Sequence, residues 1–223
     1  KLAPYLLKFL GNANADAARA RAAAMTQIIG DSVNDHKALA TATGAEKYIV
    51  PSDYLFIYRD RAHYDADAFG WGLRKEYGFN WNMLEGREFH DYDPAFAQSL
   101  NCAALCPDHG RISDPGAYVN ALAAHFEAKG GMFLKGEVSD IARENGKVIG
   151  VRIGGETVEC DTTILATGVW SGPLAKKLGV KVPLETERGY HLELWEPNVM
   201  PRSPAMVASG KFVATPMDGR LRL

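Results

Sequence analysis

The sequence predicts a mixed α/β chain with α+β character, and three observations carry that reading. Residues 14–43 are Ala-rich, with Ala17, Ala20, Ala24, Ile28 and Leu39 at helical spacing. Residues 108–169 alternate clear helix, strand and turn signals. Residues 182–216 read as strand-like runs broken by Gly, Pro and polar turns.

Taken in order, 14–43 predicts one long helix, with Gly30 weakening its middle. YLFIYR (54–59) is aromatic and branched, and predicts a strand. Asp60 suits the N-cap of a helix running towards Gly78. FNWNML (79–84) and residues 99–106 predict two more strands, and the polar stretch 85–98 between them carries an Asp93-Pro94 turn. Ser113-Asp114-Pro115 starts a helix, because Asp accepts from free N–H groups and Pro fits the first turn. Tyr118, Leu122 and Phe126, with Val119 beside them, mark its buried face, and Gly130-Gly131 ends it. MFLKG (132–136) predicts a strand. Asn145-Gly146, between VSDIARE and KVIGVRI, predicts a type I′ hairpin. Gly154-Gly155 turns the chain into ETVEC, and TTILATG follows as an apolar run of the kind buried in sheets. A short helix over 173–178 ends at Gly179. Then VPLETERGYHLELW (182–195), PAMVAS (204–209), KFVATP (211–216) and RLRL (220–223) predict a largely antiparallel sheet.

Composition narrows the function classes. The 223 residues suffice for one large domain or two small ones. A net charge of −2 speaks against a nucleic-acid binder. No apolar run reaches the length of a membrane span, and KLAPYLLKFL lacks the layout of a signal peptide. Three cysteines make no disulfide framework, so a reducing cytoplasmic compartment is expected.

The end of TTILATG raises a chemical question. A strand closing on Ala166, Thr167 and Gly168 clears side chains from its carboxyl edge, where ligands of open α/β sheets bind. A tight turn needing Gly for its geometry explains the same residues equally well.

GRISDPGAYVNALAAHFEAKGG, KGEVSDI, the hairpin meander, TTILATGVWSGPLAKKLG and VPLETERGYHLEL, in this order and spacing, resemble the D-amino acid oxidase family of flavoproteins. Within it they are most similar to the bacterial D-amino acid dehydrogenase branch. The tyrosine spacing around Tyr54 and the PDHG-x-x-SDP run at 107–115 point the same way. The resemblance covers most of the chain and is strongest from Asp108 to Ala214.

The resemblance implies a two-domain FAD/NAD(P)-binding oxidoreductase fold. A Rossmann-like layer holds FAD, and an antiparallel-sheet domain roofs the flavin. Residues 1–107 would form the first part of the substrate domain, 108–172 a partial FAD-binding domain, and 173–223 the returning strands. Val138 carries over as a neighbour of the adenine. Ala166, Thr167 and Gly168 carry over as the cleared edge. Trp170 and Ser171 open the next helix, whose free N–H groups face anionic parts of the ligand. The plainer readings are a strand Val138, a core Trp170 and an N-capping Ser171.

The implied reaction oxidises a D-amino acid to an imino acid, which hydrolyses to a 2-oxo acid. Oxygen or a quinone would take the electrons, and a quinone-linked enzyme would sit peripherally at the inner membrane. No protein acid or base is obligatory when the amine arrives neutral, so no catalytic residue is assigned. Pocket candidates are Arg188, for a carboxylate, Tyr190 or His191, on opposite faces of one strand, and Tyr54 and Tyr58, on a shared face. Arg188 equally suits an ion pair with Glu185 or Glu187. A glycine- or sarcosine-oxidase-like activity and a non-catalytic binding module are the alternatives.

Several family features are missing. No G-x-G-x-x-G occurs; Gly70-Trp71-Gly72 comes nearest, with Lys at 75 and no preceding strand. The Gly-rich segment near the flavin ring and its substrate-binding Arg are also lacking. The expectation is an internal fragment that binds FAD weakly, is inactive in isolation and exposes sheet edges. Cys102, Cys106 and His109 form C-x3-C-x2-H without an evident fourth ligand, so no metal site is expected.

Overall fold

The computed structural model describes residues 2–223. They form two compact units, one built from 2–128 with 191–223 and a smaller one from 129–190. Helices and strands mix throughout, in agreement with the α/β expectation.

The larger unit is organised around β1 (Ile49–Tyr58), the extended form of the expected YLFIYR strand. Its sheet also contains β2 (Asn82–Glu85), β3 (Cys102–Ile112), β7 (Glu193–Trp195), β8 (Ala205–Val207), β9 (Phe212–Met217) and β10 (Arg220–Arg222), in the order β2-β3-β1-β8-β9-β10-β7. β8 runs parallel to β1, and the other pairings are antiparallel. Side chains alternate across a strand, so β1 feeds two cores. Leu55 and Ile57 pack with Leu84, Phe89, Ala103, Leu105 and Ala205 on one face. Tyr58 packs with Tyr64, Trp71, Cys102, Ala104 and Cys106 on the other, with Tyr54 and Phe56 at its margin.

Helices cover both faces. Asp60 caps α4 (Arg61–Asp65) by accepting from the His63 N–H at 3.0 Å. The helix expected to run on towards Gly78 is two pieces, α4 and α5 (Ala68–Glu76). Trp71 of α5 drives into the aromatic core. The polar stretch after β2 holds an unexpected helix, α6 (Arg87–Tyr92), which buries Phe89. Just beyond it, buried Asp93 accepts from the N–H groups of Ala95 and Arg202, tying the returning chain to α6.

The long helix expected over 14–43 breaks. After α1 (Leu2–Gly11), α2 spans Ala15–Ile29 and α3 spans Ser32–Thr43. Gly30 closes the first, and Asp31 begins the second with non-helical φ −102° and ψ 10°. The supposed apolar face of α2 buries nothing, and Ile28 is 73% exposed. Small Ala side chains repeat at helical spacing without specifying which side is covered. α7 (Pro115–Ala128) starts as expected, with Asp114 accepting from Ala117 N–H at 3.1 Å. Tyr118 is buried, while Val119 and Phe126 are exposed.

The smaller unit is a meander of β4 (Val138–Glu144), β5 (Lys147–Ile153) and β6 (Glu156–Glu159), followed by α8 (Ser171–Lys177). Asn145 and Gly146 both have positive φ, 50° and 79°, as the I′ turn requires. α8 buries Leu174 and Ala175. Its Lys177 Nζ donates to the Ser139 carbonyl of β4 at 2.6 Å.

Two expected strands are absent among the described residues, and a third is cut short. MFLKG and TTILATG are irregular, and of 182–195 only Glu193–Trp195 is a strand. Ile164 is 87% exposed. Apolar, branched sequence permits a strand, but a strand persists only where a neighbour completes its hydrogen bonds. None of the described strands pairs with 132–136, 162–168 or 182–191.

Candidate functional site

Within the larger unit, the aromatic face of β1 does not close completely. A cavity of about 880 Å³ remains between β1, β3, α5 and the α2–α3 corner. Tyr54, Phe56, Trp71, Phe79 and Trp81 supply its apolar wall. The rings form a continuous chain: Tyr54 to Phe56 at 5.2 Å, Phe56 to Trp71 at 5.1 Å and Trp71 to Trp81 at 4.7 Å. Both indoles have partners away from the cavity. Trp71 Nε1 donates to the Tyr58 hydroxyl and Trp81 Nε1 to the Tyr64 hydroxyl, each at 2.9 Å.

Three polar groups on this wall have no such partner. The Arg74 guanidinium lies 4.7 Å over Phe56 and 4.6 Å over Trp71, a cation–π seat, and forms no salt bridge among the described residues. The Tyr54 hydroxyl and the His109 ring make no hydrogen bond among the described residues. The Tyr54 and His109 rings are 5.9 Å apart. Burial raises the Tyr54 phenol pKa, with Cys106 adding to the rise and Arg74 opposing it. Burial also lowers the His109 pKa, against the opposing pull of Asp108 and Asp53.

A β-bulge places His109 there. Tyr54 pairs with Cys106, but Ser52 pairs with His109, so β3 carries one extra residue between these pairs. Asp108 absorbs it with φ 62°. Strict alternation would put His109 on the face opposite Cys106; the bulge returns it to the cavity side. Cys106 also lines the cavity, its thiol pushed up to about 11 by burial. Cys102 is buried, and its thiol is likewise raised to about 11.

The expected pocket residues differ in their local settings. Tyr54 lines the cavity. Tyr58 shares its face but is buried, donating to Asp67 Oδ2 at 2.9 Å. Arg188, Tyr190 and His191 lie on the exposed irregular stretch, with Tyr190 88% exposed. Arg188 pairs with neither Glu185 nor Glu187. The sequence reading missed Arg74, Phe56, Trp71 and Trp81. Trp71 and Arg74 at i,i+3 on one helix, and Pro107-Asp108 interrupting a strand, were the available signals.

The residues matched to a nucleotide lie in the smaller unit. Val138 opens β4, half-buried opposite Ile153. Ala166 and Thr167 are exposed. Gly168 has φ 56°, and a Cβ built on it would meet nothing within 4 Å. Glycine is therefore required by backbone conformation and not by local crowding. Trp170 is 75% exposed rather than core. The Ser171 hydroxyl accepts from Thr167 N–H at 3.2 Å and lies 3.0 Å from the Thr167 hydroxyl, pinning the bend that leads into α8. An open backbone edge with two hydroxyls fits one wall of a nucleotide site. It supplies no phosphate cradle.

A two-unit α/β fold with a mixed sheet and such an edge is that of a flavin-dependent oxidoreductase. The sequence matches the family DAO, FAD dependent oxidoreductase, over residues 7–223, and the chain belongs to that family. It is 30% identical to a D-amino-acid oxidase of Bradyrhizobium diazoefficiens over 223 residues, covering 100% of this chain and 53% of the relative. A D-amino acid dehydrogenase of the same organism is 26% identical over 174 residues, 76% of this chain and 41% of the relative. The chain thus spans about half the length of the curated relatives it matches. In fold it is similar to glycine oxidase from Geobacillus kaustophilus, with a TM-score of 0.70 and 19% identity, covering 91% of this chain and 54% of that one. It is also similar to L-proline dehydrogenase from P. horikoshii, with a TM-score of 0.67 and 18% identity, covering 85% and 53%.

Proposed function

We propose that the chain serves the oxidation of D-amino acids to imino acids, which hydrolyse to 2-oxo acids. The observation that carries this is the alignment of the whole chain with a D-amino-acid oxidase at 30% identity. FAD, when bound, supplies the hydride acceptor for the substrate Cα–H. The protein's part is to hold and orient. Within 108–172, Val138 would border the adenine, and Ala166, Thr167 and Gly168 would lie flat against the nucleotide. Trp170 and Ser171 would flank it. Arg188, which has no ion pair among the described residues, is the candidate for the substrate carboxylate, with Tyr190 or His191 beside it. Oxygen or a quinone would reoxidise the flavin. The 223 residues alone are expected to bind FAD weakly, since no G-x-G-x-x-G supplies the phosphate cradle.

A chimera tests the reading without assumptions about flanking sequence. The aligned 53% of the Bradyrhizobium D-amino-acid oxidase is replaced by this chain, and FAD content and turnover are measured. Oxidation of D-amino acids over their L-enantiomers is expected. A chimera that binds FAD yet oxidises only glycine, sarcosine or L-amino acids would overturn the assignment.

A further inference from the structure

We propose that Asn145, at the tip of the β4–β5 hairpin, is a modification site that deamidates spontaneously and converts to isoaspartate. Asn145 is the only asparagine in the sequence followed by glycine. Both tip residues are exposed. The Asn145 side-chain amide and the Gly146 N–H make no hydrogen bond among the described residues. A Cβ built on Gly146 would meet nothing within 4 Å, so neither a side chain of its own nor a neighbouring group screens its nitrogen. The attacking nitrogen and the carbon it attacks therefore lie in adjacent, uncovered residues.

The pairing below the tip lets the turn open by itself. Ala142 faces Gly150, whereas Arg143 faces Val148, so β5 carries one extra residue, Ile149, as a bulge. Above the bulge only two pairs close the hairpin, Arg143 with Val148 and Glu144 with Lys147. Below it the ladder runs from Ala142 and Gly150 down to Val138 and Ile153, and β6 pairs with β5 only from Gly150 onwards. Opening the two upper pairs thus leaves the rest of the meander intact. It also releases Asn145 from its φ of 50°, a left-handed conformation that an L residue leaves readily. The chemistry needs only water. The Gly146 nitrogen gives up its proton and bonds to Asn145 Cγ, the Cγ–Nδ2 bond breaks, and ammonia leaves with the proton. Water then opens the five-membered imide at either carbonyl, giving aspartate or isoaspartate. Both products place a negative charge beside Glu144. Isoaspartate also lengthens the main chain by one carbon, which does not fit a two-residue I′ turn, so the two upper pairs come apart. All the residues involved belong to the smaller unit, and the inference is independent of the redox reading.

The test is incubation of the chain at mildly alkaline pH, with peptide mapping by mass spectrometry over time. The peptide carrying Asn145 is expected to gain about 1 Da and to split into aspartyl and isoaspartyl forms before any other asparagine changes. A parallel incubation in urea isolates the part played by the fold. Because the tip opens alone, conversion in the folded chain should stay within about tenfold of the unfolded rate. Gly146→Ala, compared in urea so that its strain on the turn plays no part, should slow conversion about tenfold by crowding the nitrogen. Earlier conversion of another asparagine overturns the proposal. So does an Asn145 that converts in urea and stays intact in the folded chain, or a rate that Gly146→Ala leaves unchanged.

Discussion

At the scale of single residues, Tyr58 and Tyr54 show how two members of one strand face diverge. Both have phenols raised by burial, but only Tyr58 is locked, between the Trp71 indole it accepts from and the Asp67 carboxylate it donates to. That lock makes Tyr58 structural and leaves Tyr54 to the cavity. Tyr58→Phe strands a buried indole N–H, and should lower unfolding free energy by about 1–3 kcal/mol. The Tyr58 phenol is raised from 10.0 to about 12. Because the folded pKa lies above the unfolded one, the stability it confers is intact below pH 10 and is lost as pH rises towards 12. Urea titrations across this window should show a shallower alkaline decline in Tyr58→Phe than in the parent chain. Some decline will persist, because Cys102 and Cys106 titrate nearby, both raised to about 11.

At the scale of elements, local chemistry decided starts and turns better than it decided strands. Asp60 and Asp114 cap their helices, and Asn145-Gly146 makes its hairpin, because each device acts within a few residues. TTILATG and MFLKG failed as strands because pairing is supplied from elsewhere in the chain. The β5–β6 hairpin shows how tight such pairing is. A Cβ at Gly150 would clash with the Val158 carbonyl oxygen, a backbone atom that cannot swing aside. Gly150→Ala should therefore destabilise the smaller unit by about 2 kcal/mol in urea unfolding followed by circular dichroism. Gly172→Ala, in open space on α8, should be neutral or slightly stabilising.

At the scale of the whole molecule, the chain leaves the larger unit after Ala128 and returns at His191, and β8 then pairs parallel with β1. The return crosses 180–192, which is irregular and exposed. Backbone in this state is accessible to proteases. Limited trypsin digestion should cut first at Lys181 and Arg188. The C-terminal fragment should stay bound after cleavage. Leu55 N–H donates to Pro204 O and Ala208 N–H to Ile57 O, each at 2.9 Å, and both lie within the sheet. Mass spectrometry of the digest, before and after denaturant, checks both statements. First cleavage within α2 or α3 would contradict this account.

The sequence by itself determined what travels along the backbone: the helix starts, the hairpin turns, the alternating faces of β1 and the order of motifs that marks the flavoprotein family. Those signals are local, or depend on order and spacing alone. The tertiary structure decided which apolar runs found partners, which way Trp71 and Arg74 faced, and which side of β3 carried His109. The last case shows the physical reason. One extra residue, taken up by Asp108 at φ 62°, reverses the alternation beyond it. Nothing short of the paired strands reveals that His109 shares a cavity with Tyr54.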